Sequence, residues 1–252
     1  MAAAGFRDVL ERGASELGIR LDSRAIGVFE RHYRVLVDCN RRVNLTSIEG
    51  EEEAAVKHFL DSLTCLLAVD LPEGCKVVDV GSGAGFPGVV LKVARGGIRL
   101  ALVEASRKRA DFLRDLVDML GLSDVEVLWD RAERLGRTSV HRESYDVVTA
   151  RAVGEMAVLA ELCLPFVRVG GMFVAQKGPD AREEMEASAE AVETMGGVVD
   201  RVVPVCLPFG YGGRSIVVVR KESTTPARYP RRPGIPEKRP IKRAREPELT
   251  RG

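Results

Sequence analysis

The chain has 252 residues, 45% of them hydrophobic, and a net charge of +1, enough for one large or two small domains with a real core. No apolar run reaches the ~18 residues of a membrane helix, and the start MAAAGFRDVLERG lacks the apolar stretch of a secretory signal. Five scattered cysteines (39, 65, 75, 163 and 206) with no C-x-x-C, and only three histidines, argue against a Cys/His metal site and suit reduced thiols in the cytoplasm.

Residues 1–72 are expected to form an N-terminal helical cap. DSRAIGVFERHYRVLVDCN opens on the cap candidates Asp22 and Ser23 and places Ile26, Phe29, Tyr33, Leu36 and Val37 near one face. EEEAAVKHFLDSLTCLLAV (51–69) is a second amphipathic helix with acids in its first turn, where they complement the helix dipole. NRRVNLTSIEG reads as the loop between them.

Residues 73–222 alternate short apolar strands (76–80, 98–104, 125–129, 145–150, 170–177) with helical stretches near 87–95, 107–121, 155–163 and 180–196. Such alternation implies right-handed crossovers and a parallel sheet covered on both faces. VVDRVVPVCLPF and RSIVVVRK, joined through GYGG, add an antiparallel hairpin. The predicted fold is therefore α/β: a mostly parallel, Rossmann-like sheet ending in an antiparallel hairpin, as in a class I methyltransferase. Cys163 and Cys206 read as small core residues.

The remainder, 223–252, is a basic, Pro-rich tail. Residues 221–252 carry ten Lys/Arg against four Glu, a net +6, which leaves −5 on the rest of the chain. A basic end on an acidic body suits a polyanionic partner or a solubilising tail.

VVDVGSGAGFPGVVL (77–91) places glycines directly after the first strand. Ligands of such sheets sit at the carboxyl ends of the strands, and glycine lets them approach the backbone. Gly83-x-Gly85-x-x-Gly88 matches a dinucleotide fingerprint, but the first glycine comes late and Pro87 interrupts the helix start. The competing pattern, Asp79-x-Gly81-x-Gly83-x-Gly85, puts a carboxylate at the strand tip. That acid favours S-adenosylmethionine, which carries an ammonium and a sulfonium, over a pyrophosphate. Glu104, at the end of the second strand, is placed to accept from two ribose hydroxyls, and Ser106 to cap the next helix. Asp130 to Glu133 follow the third strand, where they serve either the adenine edge or a helix start. Arg151 follows the fourth strand, as an ion pair or a ligand contact. His58 on its helix and Asn44 in its loop read as structural at least as readily as functional.

Together VVDVGSGAGFPGVVL, NLTSI (44–48), HFLDSL (58–63), ARAV (150–153), QKG (176–178) and the tail YPRRPGIPEKRPI (229–241) resemble one family, the bacterial small-subunit ribosomal RNA guanine-N7 methyltransferases, RsmG or GidB. The resemblance runs from about residue 22 to residue 241; KRAREPELTRG lies beyond it. It implies S-adenosylmethionine as cofactor, with contacts on Gly81, Phe86, Ala132, Glu133 and Arg151 beside Asp79, Gly83, Gly85 and Glu104. It also implies small-subunit rRNA as partner, with Asn44, Lys177, Arg231 and Arg232 as candidate RNA contacts. No metal and no acid/base residue are expected, because guanine N7 carries a free in-plane lone pair at neutral pH. Two other readings remain open from the residues alone: a methyltransferase for a small molecule or a protein, and a non-catalytic nucleotide-binding module.

Overall fold

The computed structural model describes residues 5–48, 50–151 and 154–241; KRAREPELTRG lies outside them. Helix α1 (Phe6–Glu16) packs its Phe6 ring against Tyr33 at 4.7 Å between centroids. Helix α2 (Ser23–Val43) begins where the Asp22 carboxylate accepts the Ala25 N–H at 2.7 Å, so Asp22 rather than Ser23 is the cap. It runs through Val43, into the segment expected to be loop, and stops at Asn44, whose φ of 51° is left-handed. The Asn40 side-chain oxygen then accepts the Leu45 and Thr46 N–H groups, which folds the loop back on the helix end. The second predicted helix is continuous but uneven. It comprises α3 (Glu51–Ala54), a π-helical turn (Ala55–Leu60), α4 (Asp61–Leu63) and a 3-10 turn (Thr64–Leu67). Single π-turns of this kind rotate the following side chains relative to an α-helix, and they concentrate at functional sites.

Among the described residues the sheet has seven strands: β1 (Lys76–Val80), β2 (Arg99–Glu104), β3 (Val125–Trp129), β4 (Tyr145–Arg151), β5 (Val167–Lys177), β6 (Gly197–Cys206) and β7 (Gly213–Lys221). Their order is β3-β2-β1-β4-β5-β7-β6. β1 to β5 run parallel, and β7 inserts antiparallel between β5 and β6, which is the expected hairpin. The crossovers are α5 (Gly88–Ala94), α6 (Arg107–Leu120), the single turn α7 (Ala132–Leu135), α8 (Met156–Cys163) and α9 (Arg182–Thr194), with a last turn α10 (Ile235–Lys238) beyond the hairpin.

Alternation along the strands divides the core in two. Val77, Leu100, Leu102, Val147, Val174 and Ile216 face α5, α6 and the N-terminal helices. Val78, Ala101, Val103, Val148, Phe173 and Val217 face α8 and α9. Phe29, Phe59 and Leu63 belong to the first of these clusters, so the N-terminal helices share a core with the sheet instead of forming a separate unit. Residues 223–241 likewise pack against the sheet domain. Cys163 is buried as expected, but Cys206, at the end of edge strand β6, is exposed.

Candidate cofactor and active site

The strand order reverses between β1 and β4, which is where the carboxyl ends of a doubly wound sheet open a crevice. A cleft of about 380 Å³ lies there, within the size range of small-molecule sites. Gly81, Gly83, Phe86, Glu104, Ala132, Glu133 and Arg151 all line it.

The glycine bend leaves β1 and crosses the tip of β2, where the Gly81 and Ser82 N–H groups donate to Val103 O at 2.9 and 3.2 Å. Gly81 and Gly83 have φ of 76° and 56°, angles that suit glycine. A Cβ on Gly83 would meet nothing nearer than Gly81 O at 3.9 Å, so the cleft side of the bend is open to a ligand. Gly85 serves a different purpose. It is absent from the cleft wall, and a Cβ there would stand 2.8 Å from Val89 Cγ2, so its bareness seats α5.

Asp79 corrects the expectation from sequence. Its carboxylate is 0% exposed and does not line the cleft. Asp79 shares the pleat direction of Val77, so its side chain points under the bend. There Oδ1 accepts from the Thr149 hydroxyl at 2.9 Å and Oδ2 from the Gly88 N–H at 3.1 Å. Burial pushes its pKa up to about 6 against the hydrogen bonds that lower it. Asp79 ties β1, β4 and the start of α5 together; it is not a charge presented to the ligand.

Glu104 is the carboxylate that does reach the cleft. It is 5% exposed, with Oε2 accepting from Gly83 N–H at 3.1 Å and Oε1 from Ser106 N–H at 2.8 Å. Ser106 precedes α6 without a side-chain cap, and the Glu104 carboxylate takes its N–H instead. A carboxylate has about four lone-pair sites; the two bonds fix its orientation and leave acceptors for a diol. Carboxylate and bare backbone at this spot fit the ribose and amino-acid ends of S-adenosylmethionine, whose sulfonium needs no phosphate cradle.

Phe86 lies between two imidazoles, with His32 stacked at 4.8 Å and His58 at 4.7 Å. Burial, the largest effect in each case, holds His32 at a pKa of about 4 and His58 at about 3, with Arg151 reinforcing the latter. Both rings are neutral at physiological pH. His58 Nε2 lies 2.8 Å from Thr46 Oγ1, and its Nδ1 lies 3.5 Å from Arg151 Nη2. The Nε2–H tautomer satisfies both contacts. The Arg151 guanidinium sits 5.1 Å over the Phe86 ring, donates to Lys57 O at 2.9 Å and pairs with Asp61 at 3.3 Å. Asp61 pairs also with Arg214, while Gln176 Nε2–H donates to Asp61 O at 2.6 Å. Arg151 is thus both an ion pair and part of the cleft wall.

The candidate RNA contacts separate. Asn44 caps α2 and lines a neighbouring groove with Arg41 and Thr46, not the cleft itself. Lys177 pairs with Glu184 at 2.6 Å and donates to Gly154 O at 2.9 Å. Arg231 is taken up by Glu161, which accepts its guanidinium at 2.5 Å and its backbone N–H at 2.7 Å. Glu161 is fully buried, so Arg231 anchors the tail and has no freedom for RNA. Arg232 remains exposed. Asp130 and Arg131, offered to the adenine edge with Ala132 and Glu133, also line the cleft, and it takes in Leu45, His58, Arg109 and Glu237, which sequence reasoning did not place there. For His58 and Leu45 a signal existed, since both fall in the HFLDSL and NLTSI motifs.

The family model for rRNA small subunit methyltransferase G matches residues 26–208. A protein named ribosomal RNA small subunit methyltransferase G, from Pelotomaculum thermopropionicum, is 49% identical over 234 residues, 93% of this chain and 98% of its own. One of the same name from Geobacillus thermodenitrificans is 46% identical over 241 residues, 96% of this chain and all of its own. Among solved structures, MtNAS in complex with MTA and tNA is 16% identical, with a TM-score of 0.53 over 86% of each chain, a likeness of fold alone. Matched over most of its length by the family model and by these relatives, the chain belongs to the rRNA small subunit methyltransferase G family.

Proposed function

We propose that the chain transfers a methyl group from S-adenosylmethionine to N7 of a guanine in small-subunit ribosomal RNA, in the cytoplasm. The observation that carries this is the pairing of Glu104, oriented by Gly83 and Ser106 with acceptors to spare, with the bare Gly81–Gly83 backbone in one cleft. Glu104 would hold the ribose hydroxyls, the glycine bend the amino-acid end, and Ala132 with Glu133 the adenine edge. When bound, the cofactor supplies an electrophilic methyl carbon on a sulfonium.

The residues around that position suit a nucleophile that needs no deprotonation. His58, held near pKa 3, is too weak a base at neutral pH, and the Arg151 cation is fixed by Asp61. N7 can attack with its own lone pair; the N–C bond forms as the C–S bond breaks, and sulfur keeps the electron pair. The work of the site is then orientation, which can supply ~7–11 kcal/mol. A target base buried in rRNA structure must first be unstacked, and Asn44, in the groove beside the cleft, with Lys177 and the exposed Arg232 would then serve as RNA contacts. Because Lys177 and Arg151 are engaged in ion pairs, their contribution to RNA requires exchange of partners. Incubating the protein with unmodified small subunits and methyl-labelled cofactor, then digesting the RNA, should yield labelled N7-methylguanosine. Label on protein or on a small molecule would remove the reading.

A further inference from the structure

Beyond β7 the described chain does not trail away. Residues 222–241 run back over α8 and α7 to the mouth of the cleft. Arg142 donates to Tyr229 O at 2.9 Å and to Thr225 O at 2.6 Å, and Arg137 donates to Pro230 O at 2.6 Å. Arg231 neutralises Glu161, a carboxylate with 0% exposure. An unpaired carboxylate is strongly disfavoured in a protein interior, so the fold has committed its interior to this segment being in place.

Two features tie the segment to the cofactor cleft. Gly234, at a φ of 79°, turns its N–H onto Glu133 Oε1 at 2.9 Å. Glu133 lines the cleft and is itself buried, so a residue of the tail orients it and leaves its other oxygen to the cleft. The α10 turn, seated on buried Pro236, then brings Glu237 to the cleft wall. Glu104, Asp130, Glu133 and Glu237 thus ring the β2–β3 side of the opening, where carboxylates can accept from the exocyclic amino group of adenine and the hydroxyls of its ribose.

We propose that residues 226–238 are the outer wall of the cofactor's adenosine site, with Gly234 positioning Glu133 and Glu237 closing the rim. The packed part of the basic tail then sets affinity for the cofactor, a role distinct from holding RNA. The proposal rests on the reading above that the cleft takes S-adenosylmethionine.

The test is calorimetric titration of the full chain with S-adenosylhomocysteine and, separately, with adenosine. Glu237→Ala removes one rim acceptor; Arg137→Leu touches no ligand but releases the Pro230 carbonyl. Both should weaken both ligands by about tenfold, the scale of one charge-assisted hydrogen bond, with thermal melting showing each variant folded. The loss should be equal for the two ligands, because the missing contact lies on the part they share. Unchanged affinity of Glu237→Ala for both, or a loss confined to S-adenosylhomocysteine, would overturn the proposal while leaving the cofactor reading intact. Failure of the unmutated chain to bind S-adenosylhomocysteine at all would bring both down.

Discussion

Replacing Asp79 with Asn separates a buried strut from a charge presented to ligand. The carboxyl moves from its ordinary value of 3.8 to about 6 in the fold, a difference of roughly 3 kcal/mol. The folded protein holds this proton more tightly than the unfolded chain does. The resulting stabilisation is therefore complete below pH 3.8 and is lost as pH rises through about 6. Asn does not titrate. It still offers an oxygen to the Thr149 hydroxyl, but its amide cannot accept from Gly88 N–H, and an orphaned buried donor costs ~1–3 kcal/mol. At pH 4, close to the unfolded value of 3.8, the parent keeps most of that stabilisation and the penalty stands nearly alone, so Asp79→Asn should be less stable than the parent by ~1–3 kcal/mol. At pH 8 the parent carries the cost of the buried charge, and the two proteins should come out close to equal. Urea unfolding at the two pH values measures this, and calorimetric titration with S-adenosylhomocysteine should find affinity unchanged within about threefold, because Asp79 does not line the cleft. An equal destabilisation at both pH values would refute the burial reasoning. A large loss of affinity with stability intact would return Asp79 to the ligand, where its place in the glycine motif first put it.

Other outcomes follow from the same geometry. Glu104→Ala removes the proposed acceptor for the ribose and orphans Gly83 and Ser106 N–H; cofactor affinity should fall by about 10- to 100-fold by calorimetry. His32 and His58 are depressed to about 4 and about 3, so the unfolded chain binds their protons first. Their contribution is full above the ordinary value of 6.5 and is lost as pH falls toward 4 and 3, outweighing the opposing effects of Asp79 and Asp61, the two carboxyls that burial pushes up. Stability from urea melts should therefore decline between pH 7 and pH 4, while methyl transfer shows no histidine inflection between pH 6 and pH 7. Arg231→Ala leaves Glu161 buried and uncompensated and should cost roughly 2–4 kcal/mol, slightly under the range for a wholly buried pair because Arg231 is 26% exposed. Arg232→Ala should instead leave stability within about 0.5 kcal/mol and lower the salt slope of RNA binding by about one.

The sheet was legible because period-two apolar runs and the helices between them are local signals. The strands at 76–80 and 125–129 stand where the pattern put them, and the Gly-rich link did mark the antiparallel hairpin. What spacing could not give is which way a side chain points at the end of a strand. Asp79 and Val80 are neighbours in sequence, yet Val80 lines the cleft and Asp79 lies beneath it; the motif reads the same for either outcome. Charge misled for a related reason. Composition counts Arg231, Arg137 and Arg142 as free cations, but each spends its guanidinium on a buried carboxylate or on backbone carbonyls brought in from 70 or more residues away. The motifs shared with the family were informative in another way, because they turn out to be pieces of one network. HFLDSL supplies His58 and Asp61, ARAV supplies Arg151, and QKG supplies Gln176, which holds the backbone of Asp61. Brought together by the fold, they set a neutral imidazole, a fixed guanidinium and Phe86 along one cleft. A similar convergence is seen in the tail. YPRRPGIPEKRPI carries the anchor Arg231, the donor Gly234 and the rim residue Glu237 within seven positions. A segment kept only for its positive charge would have no need of a glycine and an acid at those places, whereas a wall of the adenosine site requires both.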